Sequence, residues 1–298
     1  MPILSIITIN YNNLEGLKRT VDSVINQTWQ EFEYIVIDGG SIDGSVTYLG
    51  SKSDRLSYWI SEPDTGVYNA MNKGIERTSG KYLLFLNSGD HFFNNFVLHK
   101  YNNLLDEKDL ICFNLNMVQD TISWIDRYPD VLNFNFFISG TLPHPATFIK
   151  KNLFETTGFY DERFKIVSDW KFFMESVCQY NCSYLKIDET LSTFYTDGLS
   201  SDPLNKKMIF KERYLVLKPK LSLYLEGLND SDAKKETLNI YLKTLRKSLV
   251  TKNYYIFFNE ILRIKHLDFL LRVRLLVIGI SYVLYKKGLS KYSKLLKT

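Results

Sequence analysis

The sequence predicts an α/β protein: a mostly parallel central sheet with helices on both faces, followed by a helical C-terminal extension. Three observations lead there. Short apolar, β-branched runs alternate with stretches of helical period, most of those runs end in small polar clusters, and past about residue 205 the apolar spacing is helical throughout.

The run Ile3 to Ile9 reads as a buried strand entering the polar loop Asn10-Tyr11-Asn12-Asn13. Leu14, Leu17, Val21, Val24 and Ile25 follow at helical spacing, with Asn13 placed to cap the first turn. Tyr34 to Ile37 forms a second strand that stops at Asp38-Gly39-Gly40-Ser41. A helix through Val46 and Leu49, a strand from Leu56 to Ile60, a loop from Ser61 to Asp64 and a helix through Val67, Ala70, Met71 and Ile75 continue the alternation, and Tyr82 to Leu86 is the fourth strand. Short strands are expected near Leu110–Leu115, Thr147–Lys150, Tyr184–Ile187 and Thr193–Tyr195, with a helix from Asp169 to Val177. In sheets of this kind ligands collect beyond the carboxyl ends of the strands, so Asn10, Asp38, Ser61 to Asp64 and Asn87 to Asp90 are expected in one crevice.

At 298 residues, 45% hydrophobic and 15% aromatic, the chain has ample material for one large core and a smaller appendage, which excludes a disordered chain. The net charge of +4 conceals a division. Residues 1–204 carry 16 Lys and Arg against 26 Asp and Glu, whereas residues 205–298 carry 21 against 7. The expected domains are therefore 1–204, catalytic, and 205–298, basic and helical. Cys112, Cys178 and Cys182 make neither a disulfide framework nor a zinc pattern and read as reduced thiols. The opening MPILSIITINYNN has no basic leader, so the catalytic part is expected in the cytoplasm.

Four groups of residues have chemistry to offer. Asp90 follows a strand through Asn87-Ser88-Gly89, a place for a carboxylate that holds a hard cation such as Mn²⁺ or Mg²⁺, or simply for a polar turn. In DGGSIDGS, Asp38 sits at a strand end among glycines, able to accept from a nucleobase imide or a ribose hydroxyl, while Asp43 has the spacing of a helix cap. Asp169 begins a helix, as a cap or as a base whose proton affinity burial would raise. His144, stiffened by Pro143 and Pro145, is a candidate to complete a metal shell or to donate to a diphosphate. No GxGxxG or GxxxxGK[ST] occurs, which disfavours dinucleotide and P-loop binding.

Taken in order, these segments resemble family 2 glycosyltransferases of the GT-A fold, enzymes of bacterial surface polysaccharide and lipopolysaccharide synthesis. The resemblance covers about the first 195 residues. It rests on Thr8, Asn10, Tyr11 and Asn12, on DGGSIDGS, on EPDTGVYNAMNKGI from Glu62 to Ile75, on LNSGD ending at Asp90, on HPATF at His144 to Phe148, and on Tyr160-Asp161-Glu162 leading to Ser168-Asp169-Trp170. It implies that Thr8 and Asp38 contact the uracil or equivalent base with Asp64 nearby, that Asn10 belongs to the same nucleotide-binding end, and that Asn87 touches ribose or phosphate. It also implies that Asp90 holds the metal and that Asp169 is the base of an inverting transfer from a nucleoside-diphosphate sugar. Two positions depart from the family: Asn87 replaces the first acid of the usual DxD, and Ser168 replaces an acid before Asp169. Two other functions follow the same sheet, a nucleotidyltransferase acting on sugar phosphates and a non-catalytic nucleotide-sugar-binding scaffold.

Residues 267–285 are the most apolar stretch of the chain but fall short of a spanning helix and contain Arg272 and Arg274. They read either as a helix in the membrane interface, aided by Lys286, Lys287, Lys291, Lys294 and Lys297, or as a buried helix of a small helical domain. The expected setting is peripheral, at the inner face of the plasma membrane, with a lipid-linked glycan as acceptor and no nucleic-acid partner.

Overall fold

The computed structural model describes residues 2–250, 253–264 and 269–286. Its residues form two compact units, Met1–Asn133 with Thr141–Ser201, and Phe134–Gly140 with Asp202–Thr298.

The first unit opens with β1 (Leu4–Asn10), α1 (Leu14–Ile25), β2 (Phe32–Asp38), α2 (Ser45–Ser51), β3 (Tyr58–Ser61), α3 (Val67–Arg77) and β4 (Tyr82–Phe85). This is the predicted alternation, with bounds displaced by a residue or two. Every residue of β1 is buried, as expected of a strand covered on both faces. Asn13 caps α1 by accepting from the Gly16 amide at 3.1 Å. Asp43 does more than cap: it accepts from the amides of Ser45 at 3.1 Å and Leu14 at 2.7 Å, and so ties the starts of α2 and α1 together.

The unit continues through β5 (His91–Phe92), α4 (Val97–Tyr101), β6 (Leu110–Gln119) and β7 (Ile122–Asp126). After the excursion of α5 (Phe134–Ser139) into the second unit come β8 (Thr147–Lys150), α6 (Leu153–Thr156), α7 (Ser168–Cys178) and β9 (Tyr184–Tyr195). Three features differ from expectation. The two short strands foreseen after residue 183 are one strand, β9, whose polar middle spans a register irregularity opposite Phe113 to Leu115. The exposed β7 and the two-residue β5 have no burial alternation to announce them.

Strand order is β3-β2-β1-β4-β8-β6-β9-β5, with β7 paired to the far end of β6. β1 to β4 run parallel, β8 runs against both β4 and β6, and β9 runs with β6. Hence β6 and β9 point the same way as β4, and the carboxyl ends of β1, β2, β3, β4, β6 and β9 share one edge. The amino ends of the reversed strands β8 and β5 return to that edge, bringing His144 and His91 with them. Topology alone thus delivers residues from most of the unit to one rim. Beneath it lies a continuous apolar core that includes Leu17, Val21, Tyr34, Leu84, Phe113 and Phe148.

In the second unit, α8 (Lys206–Gly227), α9 (Ser231–Val250), α10 (Tyr254–Arg263) and α11 (Phe269–Lys286) follow α5. Glu260 is buried there and accepts from Tyr214 at 2.7 Å and Tyr241 at 3.3 Å. Arg272 donates to the carbonyls of Ile261 at 3.0 Å and Ile264 at 2.7 Å, closing the carboxyl end of α10. α11 buries Leu275 and leaves Val273, Ile278 and Ile280 exposed. No described helix is long and apolar enough to cross a membrane. Lys287, Lys291, Lys294 and Lys297 lie outside the described residues.

Candidate functional site

At the β2 end of the rim the Asp38 carboxylate is fully buried and accepts four hydrogen bonds. They come from the Ser41 amide (2.8 Å), the Ser41 hydroxyl (2.6 Å), the Ser61 hydroxyl (2.6 Å) and the Asn10 side-chain amide (2.7 Å). Burial opposes its charge, but these donors more than compensate and hold the carboxyl below its usual range. Asn10 also donates to Ser41 at 3.2 Å, while its Oδ1 is buried without a hydrogen-bond partner. Asp64 closes the other wall, with Oδ1 accepting from the Gly66 amide at 2.9 Å. A Cβ on Gly39 would lie 2.5 Å from Asp64 Oδ2, so a larger residue there would push the Asp64 side chain from its place. Beside Gly39 the ring of Tyr11 stands 67% exposed.

At the β4 end the loop Asn87–Asp90 turns on Gly89, whose φ of +110° favours glycine. Asp90 is only 5% exposed. Burial pushes its carboxyl up to about 7, helped by Asp197 and opposed by His144 and Arg19. Three residues away, Asn87 Oδ1 is buried without a hydrogen-bond partner. An under-compensated carboxylate and an orphaned amide oxygen on one four-residue loop are the oxygen donors that suit a hard divalent cation. Among the described residues no group of three or more His, Cys, Asp or Glu side chains is arranged for a metal. A cation here would therefore draw its remaining ligands from donor phosphates and water.

Asp169, at the start of α7, has a side chain 17% exposed. Tyr68 donates to its Oδ1 at 2.7 Å, and His144 Nδ1 lies 3.4 Å from its Oδ2. The other ring nitrogen, Nε2, is 3.1 Å from Asn87 Nδ2. Because an amide nitrogen only donates, Nε2 accepts, which leaves the proton on Nδ1 facing Asp169. One line of hydrogen bonds thus joins Asp169 to the loop carrying Asp90. The supporting loop is fixed from α3: Asn72 donates to the Tyr160 carbonyl and to Glu162, both at 2.9 Å, and Ser168 accepts from the Asp161 amide at 2.5 Å.

Four sequence expectations change. Asp38 is 0% exposed with both oxygens filled by donors of its own chain, so it frames the loop instead of accepting from a base. Thr8 is 0% exposed, 2.7 Å from the Leu86 carbonyl and 3.0 Å from the Tyr34 hydroxyl; it is a core residue with nothing to offer a base. His144 has both ring nitrogens engaged, so it positions Asp169 and Asn87 instead of reaching for a diphosphate. Burial does push the Asp169 carboxyl upward, yet the hydrogen bonds from His144 and Tyr68 outweigh it and the group stays below its usual range. Ser61 and Tyr68 were missed as individuals; each lies within a motif, but its partner is distant in sequence.

The profile of glycosyl transferase family 2 matches residues 5–168. The chain belongs to glycosyl transferase family 2. An uncharacterised glycosyltransferase of Mycobacterium tuberculosis is 37% identical over 205 residues, 67% of this chain and 78% of that one. A PGL/p-HBAD biosynthesis glycosyltransferase of Mycobacterium bovis is 30% identical over 178 residues, 57% of this chain and 68% of its own. Among solved structures, S. aureus TarS 1–349 in complex with UDP-GlcNAc superposes with a TM-score of 0.62 at 17% identity, covering 95% of this chain and 82% of that one. The mannosyltransferase PcManGT of Pyrobaculum calidifontis, in complex with GDP-Man and Mn²⁺, gives 0.55 at 12% identity, covering 99% and 84%. These likenesses show the GT-A fold, and this glycosyltransferase carries its candidate residues on the rim where that fold's strands end.

Proposed function

We propose that the chain is an inverting, metal-assisted glycosyltransferase that moves a sugar from a UDP-sugar to a hydroxyl of a lipid-linked glycan in surface polysaccharide synthesis. The observation that carries this reading is the line Tyr68–Asp169–His144–Asn87, which fixes an ionised, partly accessible carboxylate relative to the loop of Asp90. Asn10, Asp64 and the face of Tyr11 would border the nucleoside, with Asp38 fixing the loop around them. Asn87 Oδ1 and Asp90 would hold the cation, which when bound offsets negative charge on the departing diphosphate. The acceptor oxygen forms its bond to the anomeric carbon as the bond from that carbon to phosphate oxygen breaks. The nucleoside diphosphate leaves with the electron pair, and the acceptor's proton passes to Asp169. A carboxylate held below its usual range is a weak base, which suits removal late in the attack when the oxygen is already acidic. The protonated His144 Nδ1 keeps Asp169 oriented throughout.

The 21 cationic residues of the carboxyl-terminal third, with the exposed Tyr255, Leu262, Ile278 and Ile280, support attachment to the inner face of the plasma membrane. Flotation with anionic vesicles and not with neutral ones is expected; equal recovery with both would remove that part.

A thermal-shift screen of nucleoside-diphosphate sugars with and without Mn²⁺ tests the donor, because selective binding raises the Tm. Asp169→Asn is expected to lower transfer by about 10²–10⁴ while leaving the Kd for UDP unchanged. Undiminished transfer by that variant would remove Asp169 from the reaction.

A further inference from the structure

We propose that Thr20 is a positioning residue for the cation loop: from α1 its hydroxyl presets the turn of Asn87 to Asp90 in the shape that receives the ion. This rests on the glycosyl-transfer reading above, in which that loop holds the divalent cation.

Thr20 lies on the buried face of α1 with Gly16, Leu17, Val21 and Val24, and it is itself 0% exposed. A hydroxyl is out of place on such a stripe, where an aliphatic side chain such as Leu serves both helix and core better. Inside a helix its ordinary use is to bond back to the carbonyl four residues earlier, and the Gly16 carbonyl is 3.0 Å away. The nearer partner is outside the helix. The Asp90 carbonyl lies 2.6 Å from Thr20 Oγ1 and the Asn87 carbonyl 3.2 Å from it, while the Gly89 amide donates to the same oxygen at 2.9 Å. A hydroxyl has a single proton, so the proton goes chiefly to Asp90 and a lone pair takes the Gly89 amide.

The Gly89–Asp90 segment is thereby gripped at both ends by one buried oxygen. The Asp90 amide closes the same turn on the Asn87 carbonyl at 2.9 Å, with Gly89 at a φ of +110°. A turn of Asn, Ser, Gly and Asp has wide conformational freedom when left to itself. Held from the core, it keeps one shape. Asn13 donates to the Ser88 carbonyl at 3.1 Å and Arg19 to the Gly89 carbonyl at 3.4 Å, but both side chains act from the exposed side, where water can stand in for them. Thr20 acts from the dry side.

Its contacts with the loop all go to backbone, and Asn87 Oδ1 is left without a hydrogen-bond partner. A fixed backbone with an uncommitted side-chain oxygen lets a cation bind without first ordering the loop that receives it. Thr20→Val would leave the Gly89 amide and the Asp90 carbonyl buried without that partner, and the turn would move to satisfy them.

Mn²⁺ titrated into UDP-saturated protein by calorimetry tests the role. Thr20→Val is expected to bind Mn²⁺ about tenfold or more weakly than the wild type, and Thr20→Ser, which keeps the hydroxyl, within about threefold of it. The Kd for UDP without metal should stay within about twofold in both. In transfer assays the Mn²⁺ concentration for half-maximal rate should rise about tenfold in Thr20→Val, with kcat at saturating Mn²⁺ within about threefold of the wild type. A residue that only holds α1 to the sheet would lower the Tm and leave that split unmoved. Should valine not be accommodated, Thr20→Ala removes the hydroxyl with room to spare and is read in the same way. Unchanged Mn²⁺ affinity in the folded Val or Ala variant, an equal loss in Thr20→Ser, or a fall in kcat that excess Mn²⁺ does not restore would each overturn the proposal. A wild type that binds UDP but takes up no Mn²⁺ would sink the cation reading of the loop and this inference with it, a result distinct from any difference among the variants.

Discussion

Asp38 ends one strand of the sheet and Asp90 lies on the loop after another, both are buried, and their electrostatics are opposite. Asp38 collects four donors and is held below the usual carboxylate range, whereas Asp90 has burial acting against its charge and is pushed up to about 7. A carboxylate that accepts roughly two lone-pair contacts per oxygen from its own chain is framework: its charge organises Ser41, Ser61 and Asn10 into a fixed loop. A carboxylate left short of donors is a place where a positive charge is favoured, and its neighbour Asn87 repeats the shortage with an unpartnered oxygen. The candidate nucleotide end is built to be rigid before ligand arrives. The loop at β4 is built to be completed.

The largest expected effect breaks the second half of that contrast. Asp90→Asn should lower metal-stimulated transfer by about a hundredfold or more, since it deletes the one carboxylate of the donor set. The same variant should stabilise the metal-free protein. A folded-state carboxyl raised from 3.8 to about 7 contributes stability that is present at low pH and lost as pH rises through that window. At pH 8 the variant should therefore exceed the wild type by about 1–3 kcal/mol in denaturant unfolding, and the two should converge below about pH 4. A variant less stable than the wild type at pH 8 would show that Asp90 is not under-compensated.

Asp38→Asn sharpens the other half, with the opposite sign. A folded carboxyl held below its usual value adds stability above the unfolded value and loses it as pH falls through the folded one. Replacing one accepting oxygen by a donating amide turns at least one of the four contacts into a clash of donors, at a cost of about 2–4 kcal/mol near neutral pH. The acid limb of the stability curve should flatten in this variant and the limb between pH 4 and 7 should not, the reverse of Asp90→Asn. Identical pH profiles for the two variants would dissolve the distinction between framework and cation site.

Much of this was legible in the residues. Apolar runs that stop abruptly at polar clusters placed β1, β2 and β4 within a residue or two and picked out Asp38 and Asp90, while Asp169 stood out as the acid that begins a helix. What the chain order hides is pairing across long separations: Tyr68 meets Asp169 across 101 positions and Asn87 meets His144 across 57, so the direction of Asp169's shift depends on partners no local pattern reveals. β7 escaped because all but its last residue are exposed, and β9 was split because Asp188 and Glu189 interrupt its apolar rhythm. The excursion of α5 into the helical unit has the same origin, since Phe134 stacks on Tyr224 at 4.5 Å across ninety residues of chain.

The smallest expected effect concerns strand alternation. Leu4, Ile6, Thr8 and Asn10 share one face of β1, and that face is core until the strand runs out. Thr8 lies two residues inside the end, so its hydroxyl bonds to Leu86 and Tyr34, whereas Asn10 reaches the rim. Thr8→Val keeps the shape and removes both contacts, leaving the Leu86 carbonyl and Tyr34 hydroxyl short of a partner, which should cost about 1–2 kcal/mol of stability. UDP affinity should stay within about twofold of the wild type, while Asn10→Ala, which removes both the donor to Asp38 and the unpartnered Oδ1, should weaken UDP by about tenfold. Calorimetry on the two variants separates a residue that merely holds the strand from one at its tip, and an equal loss in both would return Thr8 to the nucleotide site.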